Sequence, residues 1–144
     1  MGKVSIVYWS GTGNTEAMAA AMAEGAKDAG AEVELLIVDK ADAAALSEAK
    51  AFALGCPAMG AEELEEGEME PFMAELDSQI AGKTIALFGS YGWGGGEWMR
   101  DWESRVVSDG AAVLSGEGII ADNAPDDDVL AECRAAGAKL AALV

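Results

Sequence analysis

The feature that most constrains this chain is a short loop near its N-terminus, residues 10–15, which reads Ser-Gly-Thr-Gly-Asn-Thr. An apolar, β-branched run at 4–9 precedes it and predicts a buried strand, and residues 16–28 predict a helix. A loop of this kind before a helix suits an anion, because its backbone N–H groups, its hydroxyls and the helix dipole all favour negative charge. The loop contains no Lys or Arg, so it predicts a phosphate site built from neutral donors.

The amino-acid sequence of this loop excludes two other phosphate-binding motifs. A dinucleotide-binding fingerprint needs a third glycine three residues after Gly13, where this chain has Glu16. A P-loop needs Gly-Lys-Ser/Thr at its end, and the loop has no Lys. A pocket for a terminal monophosphate remains. The alternative is an ordinary turn from strand to helix, with Asn14 or Thr12 as the helix cap.

Length and composition indicate one globular domain over residues 1–144, with half of the residues apolar. The longest uncharged apolar stretch, 51–61, is too short to span a membrane, and the N-terminus runs into a strand without a signal-peptide layout. We therefore expect a cytoplasmic protein. Cys56 and Cys133 show no CxxC spacing and are expected to be reduced and structural. The chain has no His, which excludes Ser–His and Cys–His catalysis, and we predict no metal site.

The net charge narrows the range of partners. Nine basic residues against 26 acidic ones leave a formal charge of −17. Nucleic acid and anionic membranes are poor partners for such a protein, whereas a basic patch on another protein is a good one. The acidity is also compatible with a role in solubility or salt tolerance alone.

The order of predicted elements favours an α/β fold. Strands are predicted at 4–9, 32–38, 50–55, 83–89 and in a fifth region, 111–114 with 118–121, interrupted near 115–116. Helices are predicted at 16–28, at 39–48 with Asp42 as N-cap, from Pro71 onward, at 97–108 and at 126–143. This alternation predicts a doubly wound, five-stranded parallel sheet of order 2-1-3-4-5 with helices on both faces. The glycine-rich loops after strands one, three and four then meet at the carboxyl edge, where such sheets bind ligands.

Two of these loops carry side chains suited to a planar ligand. Trp93 lies among glycines, where an exposed indole can stack on a ring. Met59 is a soft apolar residue suited to the opposite ring face, and Glu62 can accept a hydrogen bond from a ring N–H. Trp98 and Trp102, four residues apart on a helix, fit a place in the core better. A phosphate at one end and a planar heterocycle between Met59 and Trp93 describe a flavin mononucleotide (FMN) site.

Three motifs, at 7–16, 55–60 and 87–94, resemble those of the short-chain flavodoxins, in the same order along the chain. The resemblance implies a single flavodoxin-like domain, monomeric, that carries one electron at a time at low potential on non-covalently bound FMN and is not an enzyme. Its implied cofactor-binding residues are Ser10, Gly11, Thr12, Gly13, Asn14, Thr15, Pro57, Ala58, Met59, Gly60, Ala61, Glu62, Ser90, Tyr91, Gly92, Trp93 and Gly94.

The resemblance also implies individual roles. Ser10, Thr12, Asn14 and Thr15 bind the phosphate, Trp93 and Met59 flank the isoalloxazine, Glu62 bonds its N3–H, and backbone near 91–94 approaches its pyrimidine side. A flip of the Gly60–Ala61 peptide stabilises the semiquinone by presenting a carbonyl to N5–H, since glycine makes the flip inexpensive. The −17 charge and Glu62 disfavour the anionic hydroquinone. Expected partners are redox proteins with basic docking patches, both reductases and low-potential electron acceptors, which meet an acidic rim near the exposed dimethylbenzene edge.

One other function stays open, an FMN-dependent oxidoreductase acting on its own substrate. The lack of His and of an evident substrate domain counts against it. A receiver domain would need acidic residues after strand one, where this chain has Tyr8, Trp9 and Ser10. A low-molecular-weight phosphatase would need an Arg six residues after Cys56, which is absent.

Overall fold

A computed structural model of the chain describes residues 2–144. Its strands are β1 (Lys3–Tyr8), β2 (Glu32–Ile37), β3 (Ala51–Gly55), β4 (Thr84–Tyr91), β5 (Ala112–Val113) and β6 (Ile119–Asp122). Its helices are α1 (Asn14–Asp28), α2 (Ala43–Leu46), α3 (Met69–Leu76), α4 (Glu97–Ser108) and α5 (Asp127–Ala141). Within these residues, none of the helices is both long enough and apolar enough to cross a bilayer.

All strand pairs are parallel, and the sheet order is β2-β1-β3-β4-β5, as the sequence predicts. The fifth position is shared, because β5 pairs with the first half of β4 and β6 with its second half. A short 3-10 turn at Leu114–Gly116 separates the two, with Ser115 at a left-handed φ of 62°. The interruption predicted near residues 115–116 is therefore confirmed.

Two apolar cores lie on opposite faces of the sheet. One contains side chains of α1 and α5 packed against Val4 and Ile6 of β1. The other contains side chains of α2, α3 and α4 packed against Phe52 and Leu54 of β3. Alternate residues of each central strand thus point into different cores, which explains why these strands read as continuous apolar runs.

Several element boundaries differ from the sequence-based predictions. Helix α1 begins at Asn14 rather than at residue 16, because Gly13 takes the left-handed N-cap position at φ 94°. The helix predicted at 39–48 was too long, since a 3-10 turn at Val38–Lys40 precedes the four residues of α2. Asp42 is its N-cap as predicted, accepting from the Ala44 N–H at 3.0 Å. Helix α3 begins at Met69, before Pro71.

Backbone pairing continues past the carboxyl ends of the central strands and fixes the loops there. Trp9 N–H donates to the Gly55 carbonyl at 3.0 Å, and Ala58 N–H donates to the Ser90 carbonyl at 3.0 Å. The loops after β1, β3 and β4 are thereby fixed to one another at a single edge of the sheet.

Candidate functional site

The loop after β1 is organised around the hydroxyl of Ser10. Its Oγ accepts hydrogen bonds from the Gly13 N–H at 3.1 Å and from the Glu16 N–H at 3.3 Å. Because both contacts use the oxygen as an acceptor, the hydroxyl hydrogen remains available to a ligand. Ser10 thus holds the turn closed and can itself donate to an anion.

The start of α1 supplies backbone donors to the same loop. Asn14 and Thr15 are the first two residues of the helix, so their N–H groups have no acceptor one turn earlier within it. Gly13, at φ 94°, provides the left-handed turn that brings the chain into α1. This combination of unpaired N–H groups and a positive helix end suits a bound anion.

The hydroxyl of Thr15, which was predicted to bind the phosphate, is hydrogen-bonded within the protein. It is 1% exposed, its hydroxyl lies 3.2 Å from that of Ser90, and its Oγ1 also accepts the Ser90 N–H at 3.3 Å. Thr15 therefore fastens the loop after β1 to the end of β4, and its backbone N–H is the group that remains for a ligand.

Glu16 is the acidic residue next to this loop, and its carboxylate is bound elsewhere. The Tyr8 hydroxyl donates to Glu16 Oε2 at 3.2 Å. Burial of the phenol, together with that hydrogen bond, raises the pKa of Tyr8. The contact keeps the Glu16 charge on the Tyr8 side of the helix start, away from the cavity described next.

A cavity of about 230 Å³ opens at the carboxyl edge of the sheet. Its lining residues are Trp9, Gly11, Thr12, Asn14, Pro57, Ala58, Met59, Ser90, Tyr91, Gly92, Trp93 and Asn123. The three loops predicted to form one site do converge on it. Among the predicted site residues, Ser10, Gly13, Thr15, Gly60, Ala61, Glu62 and Gly94 lie outside its lining, in the turns that support it.

The aromatic residues divide as the sequence predicts. Trp93 is 53% exposed and lines the cavity together with Met59 from the facing loop. Trp98 and Trp102 are buried in the core, and the Trp98 Nε1–H donates to the Cys56 carbonyl at 2.9 Å. Trp93, together with the half-buried Trp9 of the loop after β1, presents an indole at this edge.

The loop after β3 closes into a tight turn. Met59 and Glu63 exchange two backbone hydrogen bonds, at 2.9 and 2.8 Å, so the three residues between them form the tip. Gly60 and Glu62 both have left-handed φ values, 52° and 56°. The Gly60–Ala61 peptide lies at the exposed tip of a turn whose two ends are fixed.

The Glu62 carboxylate points from this turn toward α4. Its Oε1 accepts the N–H of Glu97, the first residue of α4, at 3.0 Å. The carboxylate also occupies the space where a side chain on Gly94 would lie, so a glycine is required there. Glu62 lines a second cavity, with Trp98, Trp102 and Arg105, and not the one between Met59 and Trp93.

The acidic run at residues 62–70 contains two further glutamates whose carboxylates bind groups of the protein itself. Glu65 accepts from the N–H groups of Gly67, Glu68 and Met69 at 2.7, 2.7 and 3.0 Å, and so caps the start of α3. Glu70 pairs with Arg105 at 2.8 Å. Glu63, Glu66 and Glu68 are exposed.

Both cysteines are free and buried, as the sequence predicts. Burial raises the pKa of each thiol to about 12. The Cys56 Sγ accepts the Glu65 N–H at 3.4 Å, so this thiol supports the loop after β3. Neither thiol has the low pKa and exposure of a reactive cysteine.

Sequence reasoning missed two cavity residues, Trp9 and Asn123. Trp9 follows β1 directly, and its ring lies 3.1 Å from where a Gly11 side chain would begin. Asn123, at a left-handed φ of 61°, donates its N–H to the Tyr91 carbonyl at 2.7 Å and adds a fourth loop to the site. Its signal was available, since an Asn after the last strand lies at the same carboxyl edge.

Comparison with known proteins gives one consistent result. A family model described as "Flavodoxin" matches residues 6–137. A flavodoxin of Megasphaera elsdenii is 47% identical over 135 residues, which cover 92% of this chain and 98% of that relative. A flavodoxin of Clostridium beijerinckii is 48% identical over 124 residues, covering 86% of this chain and 89% of that relative.

Solved structures agree with the sequence matches. The solution structure of two-electron reduced Megasphaera elsdenii flavodoxin superposes with a TM-score of 0.86 at 46% identity, covering 94% of this chain and 98% of that one. A flavodoxin structure from the domain Archaea superposes with a TM-score of 0.83 at 31% identity, covering 97% and 96%.

Proposed function

The chain belongs to the flavodoxin family, and from this membership we propose which of its residues hold FMN and how they set its potentials. It is a small FMN-binding electron carrier rather than an enzyme, and the alternative of an oxidoreductase with its own substrate is not favoured. FMN supplies the redox chemistry by accepting two electrons in separate steps. One observation carries the proposal, a single cavity joining neutral anion donors at one end to Met59 and Trp93 at the other.

The donors of the first loop fit a phosphate. The Ser10 hydroxyl and the N–H groups of Asn14 and Thr15 present hydrogens at the start of α1. The hydroxyl of Thr12 and the amide of Asn14, which both line the cavity, add two side-chain donors. This set binds a phosphate without a cation, through charge-assisted hydrogen bonds and the helix dipole.

The other end of the cavity fits the isoalloxazine ring. Met59 and Trp93 come from facing loops, and we assign one to each face of the ring. The backbone of Tyr91, Gly92 and Gly94 is assigned to the pyrimidine side, and Pro57 and Ala58 to its apolar edge. Glu62 has a second carboxylate oxygen besides the one that caps α4, and we assign that oxygen to the ring N3–H.

The turn after β3 can respond to protonation of the ring. The paired backbone of Met59 and Glu63 fixes both ends of the turn, so a flip of the Gly60–Ala61 peptide needs no movement of the flanking chain. Gly60 tolerates φ values on either side of zero, so its carbonyl can turn toward the protonated ring nitrogen N5. The first reduction step is thereby made more favourable.

The charge of the protein acts on the second step. Adding an electron near Glu62, in a chain of formal charge −17, increases charge repulsion, and the apolar faces of Met59 and Trp93 reduce solvation. The second potential is therefore low and well separated from the first.

We assign partner recognition to the glutamates that the fold does not use. Glu63, Glu66 and Glu68 are exposed on the chain that leads from the turn after β3 to α3, where a basic patch on a reductase or a low-potential acceptor can meet them. We further propose one monomeric domain that works in the cytoplasm, where buried free thiols such as Cys56 and Cys133 remain reduced.

Anaerobic stepwise reduction of the purified, FMN-loaded protein tests this function. We expect the visible spectrum to pass through a distinct blue one-electron form before the fully reduced form. A spectrum that changes directly to the two-electron state would favour the oxidoreductase alternative. A protein that neither contains nor accepts FMN would contradict the assignment of all three loops.

A further inference from the structure

The segment 62–70 is attached to α4 at both of its ends. At one end, Glu62 Oε1 accepts the Glu97 N–H at the start of α4, at 3.0 Å. At the other, Arg105 Nη1 of α4 donates to Glu70 Oε1 at 2.8 Å. Glu97 and Arg105 are separated by about 12 Å along the helix axis, at 1.5 Å per residue. A rigid helix thus spans the distance between the two attachments.

Arg105 also binds the far end of α3. Its Nε donates to Asp77 Oδ1 at 3.0 Å and its Nη2 to Asp77 Oδ2 at 2.8 Å, which is a bidentate pair. Since Glu70 lies in the first turn of α3 and Asp77 caps its last, one guanidinium holds both ends of this helix. Bidentate arginine–carboxylate pairs combine strength with fixed geometry, which a lysine does not reproduce.

The charges in this cluster are stable at neutral pH. The hydrogen bonds that Arg105 donates to the Glu70 and Asp77 carboxylates raise the pKa of Arg105 above its ordinary value. Burial opposes ionisation of Asp77, but the bonds from Arg105 outweigh it and lower the pKa of that carboxyl. Arg105 and Asp77 therefore stay ionised around neutral pH, and the ion pair that joins α4 to α3 persists there.

Between Glu62 and Glu70, the segment 62–70 is held together by its own hydrogen bonds. The Glu65 carboxylate accepts three consecutive N–H groups at the start of α3, and the Glu70 N–H donates to the Glu65 carbonyl at 2.8 Å. Movement at Glu70 would consequently be transmitted to the turn that begins at Met59.

We propose that Arg105 is a positioning residue for the FMN site: by fixing α3 to α4 it holds the segment 62–70 in place and so sets the geometry of the turn at Met59, Gly60 and Glu63. The effect on the potential rests on the proposed function, whereas the effect on the turn itself does not. Arg105 lies outside the cavity between Met59 and Trp93, so its hydrogen bonds act on the flavin only through the turn.

The chain offers a matched control. Arg100, also on α4, pairs with Glu103 of the same helix at 3.0 Å and makes no hydrogen bond or ion pair with α3 among residues 2–144. Arg100→Gln and Arg105→Gln remove the same charge from the same helix, but only the second cuts the link to α3. Arg105→Lys keeps the charge and loses the bidentate geometry.

Two measurements on the purified protein test the proposal. In Arg105→Gln we expect amide hydrogen exchange at Met59 and Glu63 to accelerate about tenfold, which corresponds to about 1.4 kcal/mol. Exchange at Gly13 should stay unchanged, because its N–H bonds to Ser10 at the opposite end of the site. The first reduction potential should become more negative than in Arg100→Gln, and Arg105→Lys should fall between the wild type and Arg105→Gln.

Equal potentials in the Arg100→Gln and Arg105→Gln proteins, or unchanged exchange at Met59 and Glu63, would overturn the proposal. If Arg105→Gln does not fold, Glu70→Ala removes the acceptor of the contact to the segment alone and is judged by the same two measurements. If the protein binds no FMN, the proposed function fails, and the exchange measurement still tests the role of Arg105.

Discussion

The two ends of the cavity are held in place by different chemistry. At the end that we assign to the phosphate (the phosphate end), the fixing contacts are neutral, from backbone N–H groups to Ser10 Oγ and between the hydroxyls of Thr15 and Ser90. At the end that we assign to the isoalloxazine ring (the ring end), carboxylates make the fixing contacts: Glu62 caps α4 and Glu65 caps α3. A loop that receives a dianion must keep carboxylates away, whereas a loop beside a ring that becomes negative can use them to control how easily it is reduced.

The difference has a measurable consequence. Neutral hydrogen bonds respond weakly to pH and salt, and carboxylate contacts respond to both. Substitutions at the phosphate end should therefore change the affinity for FMN, and carboxylate substitutions at the ring end should change potentials and pH dependence. Ser10→Ala and Glu62→Gln test the two sides of this contrast directly.

The largest effect is expected at Trp93. Trp93→Ala removes a 53% exposed indole from one face of the ring, and we expect FMN affinity to fall roughly 10- to 100-fold, as for loss of an aromatic stacking partner worth about 1–3 kcal/mol. Flavin fluorescence titration of the apoprotein measures it. Leu35→Ala, which shortens an exposed apolar residue on β2, is the control and should leave the affinity unchanged.

Ser10→Ala tests the phosphate end. It removes a donor to the phosphate and the acceptor of two backbone N–H groups, so we expect FMN affinity to fall about tenfold, equivalent to about 1.4 kcal/mol. Binding of riboflavin, which lacks the phosphate, should be unaffected. A parallel loss for both ligands would mean that Ser10 supports the whole cavity. Ser78→Ala, at an exposed site after α3, is the control.

Glu62→Gln separates charge from hydrogen bonding at the ring end. The amide oxygen can still accept the Glu97 N–H, but the negative charge is gone. We expect the second reduction potential to rise, by up to about 60 mV, the equivalent of a tenfold change for one electron. Redox titration measures this shift. Glu66→Gln, which neutralises an exposed glutamate of the same run, is the control that separates the effect of the charge at Glu62 from the effect of net charge. A lower second potential would contradict the electrostatic account.

The smallest effect concerns Asp109, beside the Arg105 cluster. The neighbouring Asp77 carboxylate, together with burial, raises the pKa of Asp109 from 3.8 to about 6. A carboxyl with a raised folded-state pKa contributes most to stability below its unfolded pKa, and that contribution is lost as pH rises through about 6. Asp109→Asn should therefore raise stability at pH 7.5 by less than about 1 kcal/mol, and should not raise it at pH 4.

Urea unfolding at the two pH values measures this difference. Glu75→Gln removes an exposed carboxyl from α3 and serves as the control. An equal gain in stability for Asp109→Asn at both pH values would show that the carboxyl contributes through packing and not through its ionisation.

The sequence predicts the sheet well because each central strand is an apolar run between strong turn signals. It also predicts that the three loops meet, since the carboxyl ends of parallel strands share one edge. It does not predict which glutamates the fold uses. Glu65 and Glu66 are neighbours of the same type, yet one caps α3 and the other is exposed, and only the path of the backbone distinguishes them.

The remaining differences between the predicted and the observed elements also arise because the path of the backbone cannot be derived from local sequence patterns. The start of α3 is fixed by the Glu65 carboxylate, which accepts the N–H groups of Glu68 and Met69, so it depends on the path of the backbone just before the helix. Asn123 donates its N–H to the Tyr91 carbonyl, 32 residues earlier in the chain. Its position after the last strand places it at the carboxyl edge, but the sequence does not show which residues of that turn reach the cavity.

Comparison of FMN and riboflavin binding to the apoprotein tests the central claim most directly. A cavity with neutral phosphate donors at one end and a ring site between Met59 and Trp93 at the other should bind FMN at least about 100-fold more tightly than riboflavin, a difference of about 2.7 kcal/mol. Equal affinities would show that the loop at residues 10–15 is only a turn between strand and helix, and would contradict the account.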